Sequence, residues 1–418
     1  MTRSRLFLLA ATTALLVLLA AATRCEAPGD PPAEGDAQPV TLMIATDLHY
    51  ISPALTDHGA YFQKVVQNGD GKAMKYCEEL TDAFVRQTIA RRPDALILSG
   101  DLTFNGAKLS HTGLAEKLRL IEDAGIPVLV IPGNHDLQNT MAASFEGDAF
   151  SHVESVTPQE FEQIYRPFGF EEALSRDSAS LSYIAELTPT LRVLMLDVNT
   201  VYYTGAVKTD TLQWVQQQLE SAQRQRARVL AVSHQNLLEH HRMFSYGFVI
   251  GNSASLLALY EQYGVLCNLS GHMHIQHIAR SESGLPDIAT SSLIIAPNQA
   301  GLLTLQGASA QYHTVPIDVP LPESSGVSSM RDYAHGFLWD IAYRQGIQLA
   351  GDSPEADRLA RSFADINCAF FAGRMDAFPW DESVLAQWQE TSAFARSYLQ
   401  SLADDGFQNY TEFSFPLK

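Results

Sequence analysis

One unit recurs along this sequence: four to six apolar residues that run straight into a polar, metal-capable cluster. Val40 to Ala45 leads into Thr46-Asp47-Leu48-His49, and Ala95 to Leu98 into Ser99-Gly100-Asp101. Val128 to Ile131 leads into Pro132-Gly133-Asn134-His135-Asp136, and Val193 to Leu196 into Asp197-Val198-Asn199. Val229 to Val232 runs into Ser233-His234-Gln235, and Val265 to Leu269 into Ser270-Gly271-His272-Met273-His274. Short runs rich in Val, Ile and Leu fit strands covered on both faces. Between them lie helical stripes: Tyr76, Leu80, Phe84 and Ile89; Leu114, Leu118 and Ile121; Leu212, Val215 and Leu219. Strand and helix alternate, which predicts an α/β fold with a largely parallel or mixed sheet system and helices outside. In such sheets ligands gather beyond the carboxyl ends of the strands, where the polar clusters fall.

The pattern changes near Pro320. Glu323 to Ser329 reads as a Ser/Gly-rich joint, and three helical patterns follow. They are Tyr333, Phe337 and Ile341; Leu359, Phe363, Ile366 and Phe370; and Leu385, Trp388, Ala395 and Leu399. Ser353-Pro354 reads as the N-cap and first turn of the second. The expectation is an α/β domain over residues 39–319 that carries the polar clusters and a small all-α C-terminal domain over 320–418.

The strand-end clusters supply seven candidate metal ligands: Asp47, His49, Asp101, Asn134, His234, His272 and His274. Mixed oxygen and imidazole donors suit Mn, Fe, Zn or Ni. Seven are too many for one tetrahedral ion and suit two ions sharing a carboxylate. In Asp47-Leu48-His49 and His272-Met273-His274 the partners are two apart, so an extended backbone would aim each pair at one pocket. The chain is acidic, with 28 Lys+Arg against 47 Asp+Glu and a net charge of −19. That argues against a nucleic-acid polymer or an anionic lipid surface as partner. A phosphate ester stays compatible, because bound cations reverse the local field.

Asp-x-His, Gly-Asp, Gly-Asn-His-Asp, a lone His and Gly-His-x-His, in that order, resemble the calcineurin-like metallophosphoesterases over roughly Pro39 to Val319. The resemblance implies a metallophosphoesterase sandwich of two mixed β-sheets flanked by helices. It implies a first metal on Asp47, His49, Asp101 and His274. It implies a second on Asp101, Asn134, His234 and His272, with Asp101 bridging. Two ions are expected, Mn, Fe or Zn. His135 is placed to contact the phosphate or protonate the leaving oxygen. Asp136 could hold the His135 ring or cap the following helix. Phe104-Asn105-Gly106 and the closing Asp136 depart from the protein Ser/Thr phosphatases, and Phe104 stands where purple acid phosphatases place a Tyr ligand. The motifs look more like the bacterial cyclic-nucleotide phosphodiesterases, and the segment Asn105-Gly106-Ala107-Lys108 with Ser110-His111 resembles their secreted or lipoprotein members.

The expected reaction is hydrolysis of a phosphodiester, such as a cyclic nucleotide, by in-line attack of a metal-bridging hydroxide. A broad phosphomonoesterase or nucleotidase is the alternative, and a surface-tethered binding protein keeping the fold is the alternative of another class. Asn105, His111 and Asn199 are candidate substrate contacts, with Tyr202 beside them. His240 and His241 read as a polar helix face, and His277 as structural. At the N-terminus Arg3 and Arg5 precede an apolar run from Leu6 to Ala22, the pattern of a signal peptide over residues 1–25. A retained membrane anchor is the other reading of that run. Cys25 invites lipidation, although Arg24 stands where a lipobox has a small residue. Residues 26–38 have the composition of a tether. The expected location is outside the cytoplasm, with membrane contact only through a lipid or an uncleaved signal. Cys77, Cys267 and Cys368 have no metal-finger spacing and read as buried small hydrophobes, with one bridge among them left open.

Overall fold

Apolar runs buried on two faces set the architecture. In the computed structural model, which describes residues 38–200 and 205–417, the first run is β1, Val40–Ala45. β2 (Ala95–Leu98) and β3 (Val128–Val130) follow it in parallel. β4 (Ala143–Glu146) and β5 (Ala149–His152) form a separate hairpin. Next come β6 (Ser175–Arg176), β7 (Tyr183–Thr188), β8 (Leu191–Leu196) and β9 (Arg228–Ser233). With β10 (Asn268–Ser270), β11 (His277–Arg280) and β12 (Pro286–Ala289) they make a sheet ordered β11-β12-β10-β9-β8-β7-β6. β13 (Gln299–Gln306), β14 (Ser309–Pro316) and β15 (Glu412–Pro416) complete the first sheet, ordered β15-β14-β13-β1-β2-β3. Both sheets are mixed: the first is parallel from β1 to its β3 edge and antiparallel on the other side, and the second has a parallel centre with antiparallel flanks.

The two sheets face one another across a shared core. β8 shows how the sequence achieves this. Leu191, Val193 and Met195 enter the core that also holds Leu42 and Ile44 of β1. Leu194 and Leu196, on the opposite face, join a second core with Trp214, Val215 and Leu219. Those three lie on the helix Thr209–Arg224. Strict alternation with every residue buried is what a strand covered on both sides requires. Each such Leu or Val contributes roughly 1.5–3 kcal/mol by leaving water. Tyr183 of β7 pins the sheets together, its hydroxyl lying 3.0 Å from both the N–H and the carbonyl of Val130 in β3.

The expected helical stripes lie on Cys77–Arg91, Lys108–Asp123 and Thr209–Arg224. The C-terminal segment holds α1 (Met330–Ala350), α2 (Ala356–Phe371), α3 (Glu382–Thr391) and α4 (Ala393–Asp405). The third expected pattern is thus two helices, broken at Ser392, whose hydroxyl accepts from Ala395 N–H and caps α4. Helix α2 begins at Ala356 with Glu355 as its N-cap, two residues beyond the Ser353-Pro354 start expected from sequence. The segment also adds a strand to its helices: β15 pairs antiparallel with β14, so residues 320–418 are not all-α. Edge pairing supplies its hydrogen bonds and hides Phe415, a nonlocal reward that short-range pattern does not carry. Pro39–Lys418 forms one compact unit.

Strand β10 starts at Asn268 rather than Val265. Cys77, Cys267 and Cys368 are free thiols, the first two buried. No helix among the described residues is long and apolar enough to cross a membrane. The expected signal, the tether up to residue 37, Cys25 and Tyr202 lie outside the described residues.

Candidate metal centre

All seven expected ligands sit where parallel strands end, and the backbone there is unusual. Asp47, His49, Asp101, His272 and His274 have φ of 50°, 44°, 48°, 66° and 60°. The expectation that each pair uses the alternation of an extended strand is therefore corrected. β1 stops at Ala45 and β10 at Ser270, and the pairs turn inward through left-handed residues. That conformation costs a non-glycine residue roughly 1–2 kcal/mol, and such strain collects at functional sites. Backbone bonds between neighbouring loops hold it: Asp47 N–H donates to Gly100 O, His49 N–H to Asp101 O and Tyr50 N–H to Leu102 O, each at 3.0 Å. A Cβ on Gly133 would overlap Asp101, and one on Gly271 would overlap Thr46 and Asp47. Those two glycines are what the close approach of the loops demands.

The side chains form two groups that share one residue. Asp47, His49, Asp101 and His274 make the first, and Asp101, His234 and His272 the second; within each, the ligand atoms lie within 4.8 Å of one another. Asn134 joins the second through Oδ1, 3.1 Å from His234 Nε2. The free lone pairs point inward, because most outward nitrogens already face acceptors. His234 Nδ1 lies 2.9 Å from Ser99 O, and His272 Nε2 3.0 Å from Gly247 O. A carbonyl can only accept, so in the neutral rings those nitrogens carry the hydrogens and His234 Nε2 and His272 Nδ1 keep the lone pairs. His274 Nδ1 faces Asp70 Oδ2 at 3.2 Å, which leaves Nε2 for the centre. Asp47 Oδ2 accepts from Thr46 Oγ1 and His272 N–H, whereas the buried Oδ1 has no hydrogen-bond partner and faces His274 Nε2 at 3.3 Å. An orphaned buried carboxylate oxygen amid converging imidazole lone pairs is a donor set that fits cations.

Burial pushes the Asp101 carboxyl up, but His234, His135 and His49 outweigh it and hold the group well below the usual carboxylate range. Burial lowers His234, and the charge of Asp101 more than reverses this, raising it to about 9, so Nε2 carries a proton that a bound cation would displace. Burial and the charge of His234 bring His272 down to about 3. Asp101 touches both groups: Oδ1 lies 3.3 Å from His234 Nε2 and Oδ2 3.8 Å from His49 Nε2. It is the one ligand placed to bridge.

His135 stands beside the cluster, half-exposed, with Nε2 3.9 Å from Asp101 Oδ2. Its ring is held by Phe104 O, 3.0 Å from Nδ1. The expectation that Asp136 holds that ring is corrected. Asp136 is fully buried and accepts four bonds, from the N–H groups of Leu102, Thr103 and Gly133 and from Thr103 Oγ1. It caps the loop that carries Asp101, not a helix. Burial, then the charge of Asp101, pushes its carboxyl up to about 6.

The expected substrate contacts are mostly structural. His111 is neither solvent-facing nor at substrate: it is buried, its ring nitrogens 3.0 Å from Tyr165 Oη and Asp136 O. Asn105 is buried and donates to Met141 O and Ala143 O. Asn199 donates to Pro132 O and accepts from Gln235. His240 and His241 do not form a polar helix face, because both are buried in a loop. His240 Nδ1 lies 2.9 Å from His277 Nδ1, and His277 Nε2 3.0 Å from Asp405 Oδ2. That chain joins the sheet to the C-terminal segment and confirms a structural His277.

Two features escaped sequence reading. Asp70, in the turn Asn68-Gly69-Asp70-Gly71, orients His274; an acidic turn far away in sequence carries no signal for that. The second is a cavity of about 400 Å³ over Asp101, Asn134, His135, His272 and His274, closed by the aromatic residues of α2 and α4. Helical periodicity revealed those helices but not the side they cover. A larger cavity, about 590 Å³, contains none of the candidate ligands.

Comparisons with known proteins bear on this geometry. The profile of the family described as Calcineurin-like phosphoesterase matches residues 40–276, more than half of the chain. A probable cyclic nucleotide phosphodiesterase of Vesicomyosocius okutanii is 41% identical over 58 residues, 14% of this chain and 24% of that protein. A probable glycerophosphodiester phosphodiesterase GpdQ of Arcobacter nitrofigilis is 28% identical over 188 residues, 44% of this chain and 57% of that one. The chain thus spans about a quarter to just over half of the length of these relatives. A dimetal phosphatase from Danio rerio superposes with a TM-score of 0.47 at 14% identity, covering 66% of this chain and 95% of that one.

Proposed function

From the premise that this chain belongs to the calcineurin-like phosphoesterase family, we propose that it is a two-metal hydrolase of phosphodiesters, with cyclic nucleotides as the leading substrate class. The observation that carries the reading is the pair of ligand groups meeting at Asp101. Asp47, His49, Asp101 and His274 would hold one ion, and Asp101, Asn134, His234 and His272 the other. Two bound ions would supply Lewis-acid charge and an activated water. The chain's residues do the rest. Phe104 O fixes the His135 ring with Nε2 toward the cavity, so its protonated form can give a proton to the departing alkoxide. Asp136 fixes the loop bearing Asp101.

Charge supports a diester over a monoester. Among the described residues no Lys or Arg lines the cavity, and Lys72 beside it is already paired with Asp70, so a dianionic monoester would lack a free protein cation to grip its extra charge. The names of the two relatives also favour diesters. The test is turnover of bis- and mono-p-nitrophenyl phosphate by Mn-loaded protein. The diester should be the faster; a monoester turned over much faster would overturn the specificity. The N-terminal pattern supports an enzyme outside the cytoplasm, and recovery of native protein only from the cytosol would overturn that.

A further inference from the structure

The cavity over the metal centre has an unexpected chemistry on its far side. Its floor is ligands and His135, while its walls are rings: Phe244 and Phe248 from the loop after His234, Phe363 and Phe371 from α2, Phe394 and Tyr398 from α4. Phe248 lies against the ligand His272, with ring centroids 5.1 Å apart. Phe394 and Tyr398 stand parallel, 6.1 Å apart with planes 5° from each other. Apart from the exposed Gln345, the polar groups that the helices bring to the wall are satisfied within it. Tyr398 Oη donates to Asn367 Oδ1 at 2.8 Å, and Asn367 Nδ2 to Phe363 O at 2.7 Å. The wall therefore offers flat apolar faces. Phe394 keeps 47% of its surface exposed, so core packing does not account for it.

We propose that the C-terminal helices build a subsite for a planar, uncharged aromatic group carried on the alcohol that is esterified to the scissile phosphate, above all the nucleobase of a nucleoside ester. This rests on the phosphoesterase reading above. The physical case is complementarity at short range. A cavity of about 400 Å³ is within the range that holds a nucleotide-sized ligand. Rings tolerate any base because every base has a π-face. With no Lys or Arg in the lining among the described residues, a substituent bearing a second phosphate would find no free cation there. The metal end thus takes the charge and the helical end takes the flat group, which gives α2 and α4 a role in specificity.

The experiment compares two matched cyclic esters on Mn-loaded full chain: adenosine 2′,3′-cyclic phosphate and methyl riboside 2,3-cyclic phosphate, which lacks the base. Wild type should favour the adenosine ester by at least roughly tenfold in kcat/KM, within the roughly 5- to 150-fold that base stacking on one aromatic ring provides. Phe394→Ala, half-exposed and so tolerable to the fold, should cut that ratio roughly tenfold through KM, and Phe394→Trp should restore it. Equal kcat/KM for the two esters in wild type, or an unchanged ratio in Phe394→Ala, overturns the subsite. Adenosine and methyl riboside 5-phosphates are run alongside. Base preference among these monoesters with no cyclic ester turned over would keep the subsite and overturn the diester reading. Turnover of both cyclic esters without base preference would do the reverse, and no turnover of any ester overturns both.

Discussion

Replacing Asp136 by Asn separates a structural carboxylate from a catalytic one. In the wild type, Oδ2 accepts from Leu102 N–H at 3.0 Å and Gly133 N–H at 2.8 Å. Oδ1 accepts from Thr103 N–H and Thr103 Oγ1, both at 2.9 Å. An amide must put its NH₂ in one of those positions. The less costly choice is Oδ1, since the Thr103 hydroxyl can turn and accept. Even so, the Thr103 N–H and one amide N–H are left facing each other without an acceptor. A buried unsatisfied group costs about 1–3 kcal/mol, and the surviving bonds lose charge assistance. The expected loss is about 3 kcal/mol in the loop that carries Asp101. Read by hydrogen exchange at the Leu102 and Thr103 amides, this is roughly a hundredfold loss of protection. The urea midpoint of metal-loaded protein should fall with it. His135→Asn, on a half-exposed ring, should lower turnover while leaving both readouts near wild type. If Asp136→Asn kept wild-type protection and midpoint yet lost activity as His135→Asn does, the reasoning would be refuted and Asp136 would belong to the chemistry.

Asp101→Ala should remove both metals, bringing the metal content measured by elemental analysis from two per chain toward zero and abolishing nearly all turnover; retention of one full equivalent would refute the bridge. Asp70→Asn should leave both metals bound but weaken the ion on His274 by about 10- to 100-fold, as loss of an orienting carboxylate does, read by chelator competition; unchanged affinity would show that the 3.2 Å contact is idle. Burial brings His111 down to about 4, below the ordinary value near 6.5, so unfolded chain binds its proton first as pH falls. Its stabilising contribution is complete above pH 6.5 and is lost toward pH 4, about 3 kcal/mol in all. His111→Gln should flatten the pH dependence of the urea midpoint across that window, and an unchanged slope would count against it.

Sequence by itself determined the donor chemistry and its order along the chain. An apolar run ending in Asp, Asn or His is local information, and strand burial plus parallel direction carries it to a common edge. β1, β2, β3, β9 and β10 therefore delivered all seven ligands where the motifs placed them. Tertiary structure decided everything that depends on partners distant in sequence. Left-handed backbone at Asp47, His49, Asp101, His272 and His274 is stabilised by bonds between loops, so spacing suggested extended pairs instead. His111 and Asp136 look like site residues because they neighbour the motifs, yet a carboxylate or imidazole goes where buried donors and acceptors need satisfying, and here that is behind the loop. The periodicity of α2 and α4 announced helices and an apolar stripe. Only docking onto Met273 and Ile275 set Phe363, Phe394 and Tyr398 over the metal centre, because a stripe specifies burial and not the surface that buries it.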